Sequence, residues 1–275
     1  MKPNKIIVYD DTCPLCAAYT QGFVSAGMIE KENRKNFTSI DPSLLELLDK
    51  KRCPNEIPVI DFETKEVLYG IDAITSILQT RVPFIKKTVQ LKYINWPLHK
   101  IYKLISYNRK VIVASKTIAC NFDCTPDFNY KYRLVFMLLF SLFNIIMLFP
   151  IQAQILHNSF VSISINQLLI ANLLLIILNI FIAGFLNIKI SFEYLGQMNM
   201  IVLTSIILTI PVIFLNKYHL IQSSCFNNTF LILLIFFIFK EYKRRMDFAG
   251  ITKSYRLIHL INITAIWSFI VYLIY

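Results

Sequence analysis

The sequence predicts a small α/β domain followed by an all-α domain that spans a membrane. The chain has 275 residues, of which 56% are hydrophobic, and a mean hydropathy of +0.54, which is too apolar for one soluble domain. Short apolar runs typical of strands alternate with helical patterns over residues 1–84. Long apolar stretches follow from residue 134.

Residues 1–84 are predicted to form a βαβαββα unit. Strands are expected at 5–9, about 36–40, 57–62 and 66–69, and helices at about 14–28, 42–51 and 71–80. The first strand is predicted from the brief β-branched run Lys5–Tyr9, and Asp41 followed by Pro42 is typical of a helix start. This order of elements is that of a thioredoxin-like fold, whose redox pair follows the first strand.

A Cys-Pro-Leu-Cys sequence, Cys13–Cys16, follows the polar turn after the first strand. A helix is expected to begin there, so Cys13 would stand at a helix N-terminus, where unpaired N–H groups and the helix dipole favour an anion. A thiolate there has a lowered pKa and is the attacking species in disulfide exchange. Pro14 suits a first helical turn, which needs no N–H from it. We therefore predict Cys13 as the nucleophile and Cys16 as the resolving thiol.

Pro58 stands at the head of the third predicted strand, in Glu56-Ile57-Pro58-Val59. Thioredoxin-like folds hold a cis-proline at that position, facing the redox pair. We therefore expect a cis bond before Pro58, with Pro58 and Pro14 contributing to substrate binding. The alternative is an ordinary trans proline at the start of a strand.

A second thiol pair, Cys120 and Cys124, has a three-residue gap that is not the usual redox spacing. One interpretation is a relay that exchanges electrons with Cys13 and Cys16. Another is a metal site of four thiolates built with that first pair. The third is that these thiols have no function and merely lie near the membrane.

The segment Tyr9–Cys16 resembles the motif of the DCC family of thiol-disulfide oxidoreductases, which is named for an Asp-x-x-Cys-x-x-Cys pattern after the first strand. Asp10, Cys13 and Cys16 match that pattern residue by residue. The sequence departs from it at Asp11, where the family commonly has glycine. The remaining matches are Pro58, Gly70–Ile74 and Tyr107–Arg109, so the resemblance covers roughly residues 5–110.

The resemblance implies a thioredoxin-like fold and protein-disulfide reductase activity with no organic cofactor. Asp10, three residues before Cys13, is a further candidate catalytic residue. It could take or relay a proton, although an ionised carboxylate nearby also opposes thiolate formation. Alternatively it only caps the helix or bonds the backbone of the turn.

Residues 85–133 form a basic connector, with 10 Lys and Arg against 2 Asp and Glu. Residues 1–84 carry 10 against 12, and residues 134–275 carry 8 against 3. The connector predicts a basic amphipathic helix that lies on lipid or on the first domain, or is a solvated linker. Its apolar positions are Leu98, Ile101, Tyr102, Leu104 and Ile105, and its basic ones Lys100, Lys103, Arg109 and Lys110. Nucleic-acid binding is not predicted, because no such motif accompanies the charge.

From residue 134 the sequence predicts about five transmembrane helices, at 134–152, 167–186, 198–215, 221–239 and 257–275. Basic residues concentrate in alternate loops, and no signal peptide is recognised. This distribution predicts an inner, cytoplasmic membrane protein with a cytoplasmic N-terminal domain and an outside C-terminus. Polar residues within the spans are expected to bridge helices, or else to line a path or bind a quinone: Asn144, Asn172, Asn179, His259 and Asn262.

The predicted function is that of a membrane-anchored thiol-disulfide oxidoreductase acting on protein or small-molecule disulfides. One alternative is a metal-binding or metal-delivery module, against which Pro14 and Pro58 argue, so no metal is predicted. The other is a transport or structural membrane protein whose redox domain only senses. The expected partners are the disulfide substrate and membrane lipid.

Overall fold

The computed structural model describes residues 5–64, 66–114, 124–161, 163–221, 223–251 and 255–274. The chain divides into two compact units, residues 1–133 and residues 134–275. The first unit contains a small mixed sheet of four strands, and the described part of the second is helical. The prediction of a small α/β region followed by long apolar helices is confirmed at this level.

The first unit follows the predicted order of elements, with two more helices after it. Its strands are β1 (Lys5–Tyr9), β2 (Arg34–Asn36), β3 (Pro58–Asp61) and β4 (Glu66–Tyr69). Its helices are α1 (Pro14–Ser25), α2 (Pro42–Glu46), α3 (Gly70–Leu78), α4 (Ile85–Gln90) and α5 (Lys92–Ile112). The strand order is β2-β1-β3-β4, in which β1 and β2 are parallel and β3 is antiparallel to both of its neighbours.

The two faces of the sheet bury different clusters of apolar residues. Because side chains alternate along a strand, Ile7 and Val59 share one face, and Val8 and Ile60 share the other. The first face packs against residues of α1 and α3, including Ala73 and Ile77. The second face packs against Cys124 and against four residues of the segment 37–53, namely Phe37, Ile40, Leu48 and Cys53. A covered sheet of this kind fixes the end of β1, after which the cysteine pair follows.

The expectation of a cis bond before Pro58 is wrong. The described residues contain no cis peptide bond, and Pro58 is a buried trans proline that opens β3. A first strand position tolerates proline because its missing N–H is not needed there, and trans is the more stable isomer of an X-Pro bond. The neighbouring carbonyl of Ile57 accepts a hydrogen bond from the Gly70 N–H at 2.9 Å, which ties the start of β3 to the start of α3.

Helix α5 lies within the predicted basic connector, and one of its faces packs against the rest of the first unit. The Ile57 N–H donates to the Tyr102 hydroxyl at 2.9 Å, and the Ser106 hydroxyl donates to the Asn55 carbonyl. Tyr102, Ser106 and Arg109 are four and three positions apart and so lie on the same side of the helix. Of the predicted alternatives, the helix therefore lies on the first domain along this face, while its opposite face stays exposed.

The second unit contains α6 (Tyr130–Ile151), α7 (Ile165–Gly184), α8 (Ile188–Lys217), α9 (Ser224–Phe248) and α10 (Arg256–Ile274). Helix α6 continues into a π-helical turn at Gln152–Leu156. Among the described residues, four helices are long and apolar enough to cross a membrane: α6 with its π-turn, α7, α8 and α9. The fifth predicted span forms α10, whose apolar part, Arg256–Tyr272, is shorter than the other four. Four of the about five predicted spans are thus confirmed as helices long enough to cross, and a crossing by α10 stays a prediction.

Three of the polar residues predicted inside the spans, Asn144, Asn179 and Asn262, make hydrogen bonds between helices. Asn144 of α6 donates to the Asn199 side chain of α8 at 3.0 Å. The Tyr194 hydroxyl of α8 lies 2.5 Å from the Asn179 side-chain oxygen of α7 and 3.0 Å from that of Asn262 in α10. These contacts agree with the bridging interpretation, because a polar side chain among apolar helices is satisfied most readily by another helix.

Candidate functional site

The site is built on the turn that leaves β1. The Thr12 N–H and hydroxyl donate to one carboxylate oxygen of Asp10, at 3.0 and 2.6 Å. The Cys13 N–H donates to the Asp10 carbonyl at 3.3 Å, and Cys13 then has the extended backbone of a helix N-cap, with Pro14 in the first turn. The predicted position of Cys13 at a helix N-terminus is confirmed. Its side chain makes no capping hydrogen bond, so the sulfur is not needed for holding the helix.

The two thiols of the pair differ in exposure and in acidity. Cys13 is 8% exposed and Cys16 is 4% exposed. A hydrogen bond from the Cys16 thiol lowers the pKa of Cys13 to about 6, helped by the Cys16 N–H and the positive charge of Arg109, and opposed by burial and by Asp10. The same hydrogen bond, together with burial, raises the pKa of Cys16. The hydrogen bond thus shifts the two thiols in opposite directions and makes Cys13 the more acidic of the pair.

A buried arginine, Arg109, lies beside the thiol pair. Its Nη2 is 3.2 Å from an Asp10 carboxylate oxygen, and the same nitrogen donates to the Cys124 carbonyl. Its Nη1 is 3.8 Å from the Cys16 sulfur. Both ionised groups are buried, with Arg109 7% and Asp10 6% exposed, so little water screens the guanidinium from the sulfurs. The arrangement places a fixed positive charge where negative charge forms on either cysteine.

Asp10 is held by hydrogen bonds on both of its carboxylate oxygens. One oxygen accepts from Thr12, and the other faces Arg109. A carboxylate that is so occupied fixes the turn and orients the guanidinium. Of the two predicted roles for Asp10, the contacts favour backbone and side-chain positioning over proton relay.

Sequence analysis missed the place of Arg109. It assigned this residue to the exposed basic side of an amphipathic helix, whereas the side chain is buried against Cys16. The signal in the sequence was the recurrence of Tyr102, Ser106 and Arg109 along one helix face. Nothing local, however, distinguishes an arginine that reaches into a protein from one that faces water.

A second arginine, Arg34 at the start of β2, fastens α1 at its first turns. Its Nη2 donates to the Ala17 carbonyl at 3.0 Å, and its Nε donates to the Thr20 hydroxyl at 2.9 Å. That hydroxyl in turn donates to the Cys16 carbonyl at 2.7 Å. These bonds fix the backbone that carries Cys16, so the spacing of the two sulfurs is held by more than the helix itself.

The other predicted site residues have mixed placements. Pro14 is exposed on the first turn of α1, and Pro58 is buried beside the end of β1, one residue before the Ile7–Val59 pair. Cys120 lies outside the described residues. Cys124 is buried in the core cluster with Cys53, and its carbonyl reaches the site through Arg109.

Asp11, the next residue of the turn, needs no special backbone conformation. The only positive φ angle of a described residue other than glycine belongs to His219. The Asp11 carboxylate accepts a hydrogen bond from the Thr38 hydroxyl at 2.9 Å, which links the turn to the loop after β2. An aspartate at this position therefore fits the turn without a left-handed backbone.

The chemistry available at the site is that of sulfur. Over the part of the chain that the structure describes, no three His, Cys, Asp or Glu residues are grouped as metal ligands are. The two neighbouring thiols, one acidic and one protonated, can accept and release a disulfide. Comparison of the chain with protein-family models, with curated proteins and with solved structures gives no match. The function therefore has to be argued from the geometry of Cys13, Cys16, Asp10 and Arg109.

Proposed function

We propose that this protein is a thiol-disulfide oxidoreductase whose Cys13–Cys16 pair reduces protein or small-molecule disulfides, and that its apolar helices anchor it in a membrane. The observation that carries the proposal is the pairing of the two thiols at the start of α1. Cys13 is ionised near neutral pH, and Cys16 supplies the hydrogen bond that keeps it so. A thiolate and a protonated thiol one helical turn apart are the two components that disulfide exchange needs.

The topology of the first unit supports a thioredoxin-like assignment. In that fold the redox pair follows a central strand that is parallel to one neighbour and antiparallel to the other. Strand β1 has β2 as its parallel neighbour and β3 as its antiparallel one, and the pair follows β1 directly. The trans geometry of Pro58 is the feature that departs from this assignment.

In the first step, the Cys13 thiolate attacks one sulfur of the substrate disulfide. A bond forms between Cys13 and that sulfur, the substrate S–S bond breaks, and the other substrate sulfur leaves as a thiolate that takes a proton from water. Cys13 is the more exposed and the more acidic of the two thiols, so it is the one that attacks.

In the second step, Cys16 loses its proton and attacks the Cys13 sulfur. The Cys13–Cys16 disulfide forms, the mixed disulfide breaks, and the second substrate thiol is released, so that two electrons pass from the protein to the substrate. The guanidinium of Arg109, 3.8 Å from the Cys16 sulfur, stabilises the negative charge that develops there. A dithiol donor then returns the pair to its reduced form.

A metal-delivery function is less well supported at this site. A bound cation on Cys13 and Cys16 would lie next to the Arg109 guanidinium, which repels it in a region with little water. The positive charge of Arg109 instead stabilises a thiolate, which is the species that disulfide exchange needs.

Disulfide reduction by the full chain in detergent tests the proposal. With a dye-linked glutathione disulfide as substrate and dithiothreitol as donor, Cys13→Ser should lower the rate by about a thousandfold, as expected for loss of a nucleophile. Cys53→Ser is the matched control, because Cys53 is a buried cysteine of the same unit whose pKa burial raises to about 12. Equal activity of wild type and Cys13→Ser would refute the assignment.

A Cys16→Ser variant should hold the reaction at the mixed disulfide. Serine keeps a hydroxyl that can hydrogen-bond Cys13 but cannot attack it. Mass spectrometry of the purified variant should then find the substrate thiol attached to Cys13. Absence of that adduct, with Cys13 still reactive to alkylating agents, would show that the second step does not depend on Cys16.

A cytoplasmic position of the first unit is proposed from basic residues at the ends of the apolar helices. Lys131 and Arg133 lie in the first turn of α6, and a cluster of basic residues follows the apolar part of α9: Lys240, Lys243, Arg244 and Arg245. An outside C-terminus requires that α10 also crosses, so it remains a prediction.

A further inference from the structure

Helices α4 and α5 expose a surface that the proposed redox function does not use. Four residues at helical spacing, Lys92, Trp96, Lys100 and Lys103, lie along one side of α5. Trp96 is 66% exposed, and its neighbour Tyr93 is 92% exposed. The buried side of the helix, with Tyr102 and Arg109, points away from them. We call the face of Lys92, Tyr93, Trp96, Lys100 and Lys103 the α5 outer face.

The α5 outer face is strongly basic. No Asp or Glu occurs in the sequence between Asp72 and Asp123, a stretch that carries nine Lys and Arg. Lys86 and Lys87 of α4 are exposed as well. The Asp72 carboxylate lies 3.8 Å from His99 Nε2. The lysines therefore face outward with little internal compensation.

A cavity of about 630 Å³ opens on this face. It is lined by Gln90, Lys92, Asn95, Trp96, His99, Lys100 and Lys103. The Lys100 ammonium lies over the Trp96 ring at 5.8 Å from its centre. Ammonium groups beside amide side chains and an indole ring are suited to bind a phosphate group, with the ring placed where polar and apolar regions meet.

We infer that the α5 outer face is the surface through which the first unit binds an anionic phospholipid bilayer. Three features select this partner. The positive charge complements acidic headgroups, the exposed Trp96 and Tyr93 are residues favoured at the interface of a bilayer, and the first candidate membrane span begins at Tyr130, shortly after α5 ends at Ile112. Because the first candidate span follows α5 closely in the sequence, a bilayer that holds this span would be near α5.

Tryptophan fluorescence of the full chain in nanodiscs tests this inference. Trp96 and Trp267 are the two tryptophans, and Trp267→Phe leaves Trp96 as the single reporter while retaining a ring that can pack on Phe239. With phosphatidylglycerol in the bilayer, Trp96 emission should move to shorter wavelength and be quenched by brominated lipid. In pure phosphatidylcholine, or at high salt, both effects should weaken, because the attraction is electrostatic.

Two lysine substitutions in that background sharpen the test. Each lysine near an anionic surface contributes on the order of fivefold to binding, so Lys100→Gln with Lys103→Gln should lower the docked fraction relative to the undocked by about thirtyfold. Lys50→Gln with Lys51→Gln is the matched control, since it removes two exposed lysines of the same unit elsewhere on its surface. That pair should leave the emission shift unchanged.

Three results would overturn the inference. If the Trp96 emission is that of a water-exposed indole in both phosphatidylglycerol and phosphatidylcholine nanodiscs, the α5 outer face does not bind the bilayer. A shift that is the same with and without phosphatidylglycerol would mean that something other than acidic lipid covers the ring. Equal losses in the two lysine pairs would mean that total charge matters and the α5 outer face does not. None of these readouts depends on Cys13, so they are independent of the proposed redox function.

Discussion

Arg109 of the first unit and Arg245 of the second are both buried, and the two arginines are satisfied differently. Arg109 of the first unit meets one carboxylate, that of Asp10, one backbone carbonyl and the sulfur of Cys16. Arg245 of the second unit donates to Glu241 at 2.7 Å and to Gln197 at 2.7 Å. Both of these acceptors are side-chain oxygens.

This difference suggests that the charge of Arg109 serves the chemistry of the thiols, whereas the charge of Arg245 serves the packing of the helices. A guanidinium beside sulfur lowers the energy of a thiolate, and its effect changes when the sulfur is oxidised. A guanidinium held by a carboxylate and an amide oxygen joins α8 to α9 and has no partner that titrates near neutral pH among the contacts described. We expect substitutions of Arg109 to alter reactivity and those of Arg245 to alter only stability.

The largest expected effect is on stability, when one partner of a buried pair is removed. Arg109→Met leaves the Asp10 carboxylate buried without its counter-ion, which should lower the free energy of unfolding by about 3–5 kcal/mol. Arg245→Met should cost less, about 1–3 kcal/mol, because Arg244 still contacts Glu241 at 2.6 Å.

The two losses can be measured separately. Labelling of the buried Cys53 thiol in increasing denaturant reports opening of the first unit, and Trp267 emission in a Trp96→Phe background reports the second. Adding Asp10→Asn to Arg109→Met should recover part of the loss, since no buried charge then remains. Equal costs for the two arginines would contradict the contrast between the units.

The next effect concerns pH. Alkylation of Cys13 by iodoacetamide should rise with pH around a midpoint of about 6. Cys16→Ala removes the hydrogen bond that contributes most to this lowered pKa, so the midpoint should rise toward the ordinary thiol value of about 8.5 and the rate at pH 7 should fall by up to about thirtyfold. Mass spectrometry of the labelled peptide measures both, and Cys53→Ala should leave the midpoint in place.

The same pKa gives the sign of a stability effect. The pKa of Cys13 is lower in the folded protein than in the unfolded chain, so its contribution to stability is present above about pH 8.5 and is lost as the pH falls toward 6. Cys13→Ser should remove that pH dependence in the reduced protein. An unchanged dependence would place the acidic group elsewhere.

A smaller effect, on the rate of disulfide reduction, is expected when Arg109 is replaced by a residue that keeps the positive charge but lacks the planar guanidinium group. Arg109→Lys retains a cation, but an ammonium cannot reach Asp10, the Cys124 carbonyl and Cys16 together as the guanidinium does. Disulfide reduction should slow by about tenfold. Arg245→Lys is the matched control and should leave the rate unchanged, so a similar loss there would remove the distinction between the two arginines.

The smallest effects compare single hydrogen bonds in the two units. Tyr102→Phe leaves the Ile57 N–H without its acceptor and should cost about 1–1.5 kcal/mol of the first unit's stability. Asn144→Leu removes a contact between α6 and α8 and should cost about 0.6 kcal/mol, because the unfolded segment in lipid also finds polar partners. The Cys53 and Trp267 readouts measure the two, and the opposite order would show that the second unit depends more on its polar bridges.

Local patterns determined much of this protein before any tertiary structure was considered. The run Lys5–Tyr9, the Cys-Pro-Leu-Cys sequence and the apolar stretches each carry their own periodicity or stereochemistry, so β1, the start of α1 and the long apolar helices could be placed from neighbouring residues alone. The helix predicted at 257–275 forms as α10, Arg256–Ile274, for the same reason.

Tertiary structure alone decided which charges meet the thiols. Asp10 and Arg109 are 99 positions apart, and only the packing of α5 against the first unit brings the guanidinium to Cys16. The same packing turned Lys100 and Trp96 outward, to the face for which we propose a lipid partner. A sequence states which side chains carry charge, but burial and distance set the energy of each charge, and both depend on contacts between distant parts of the chain.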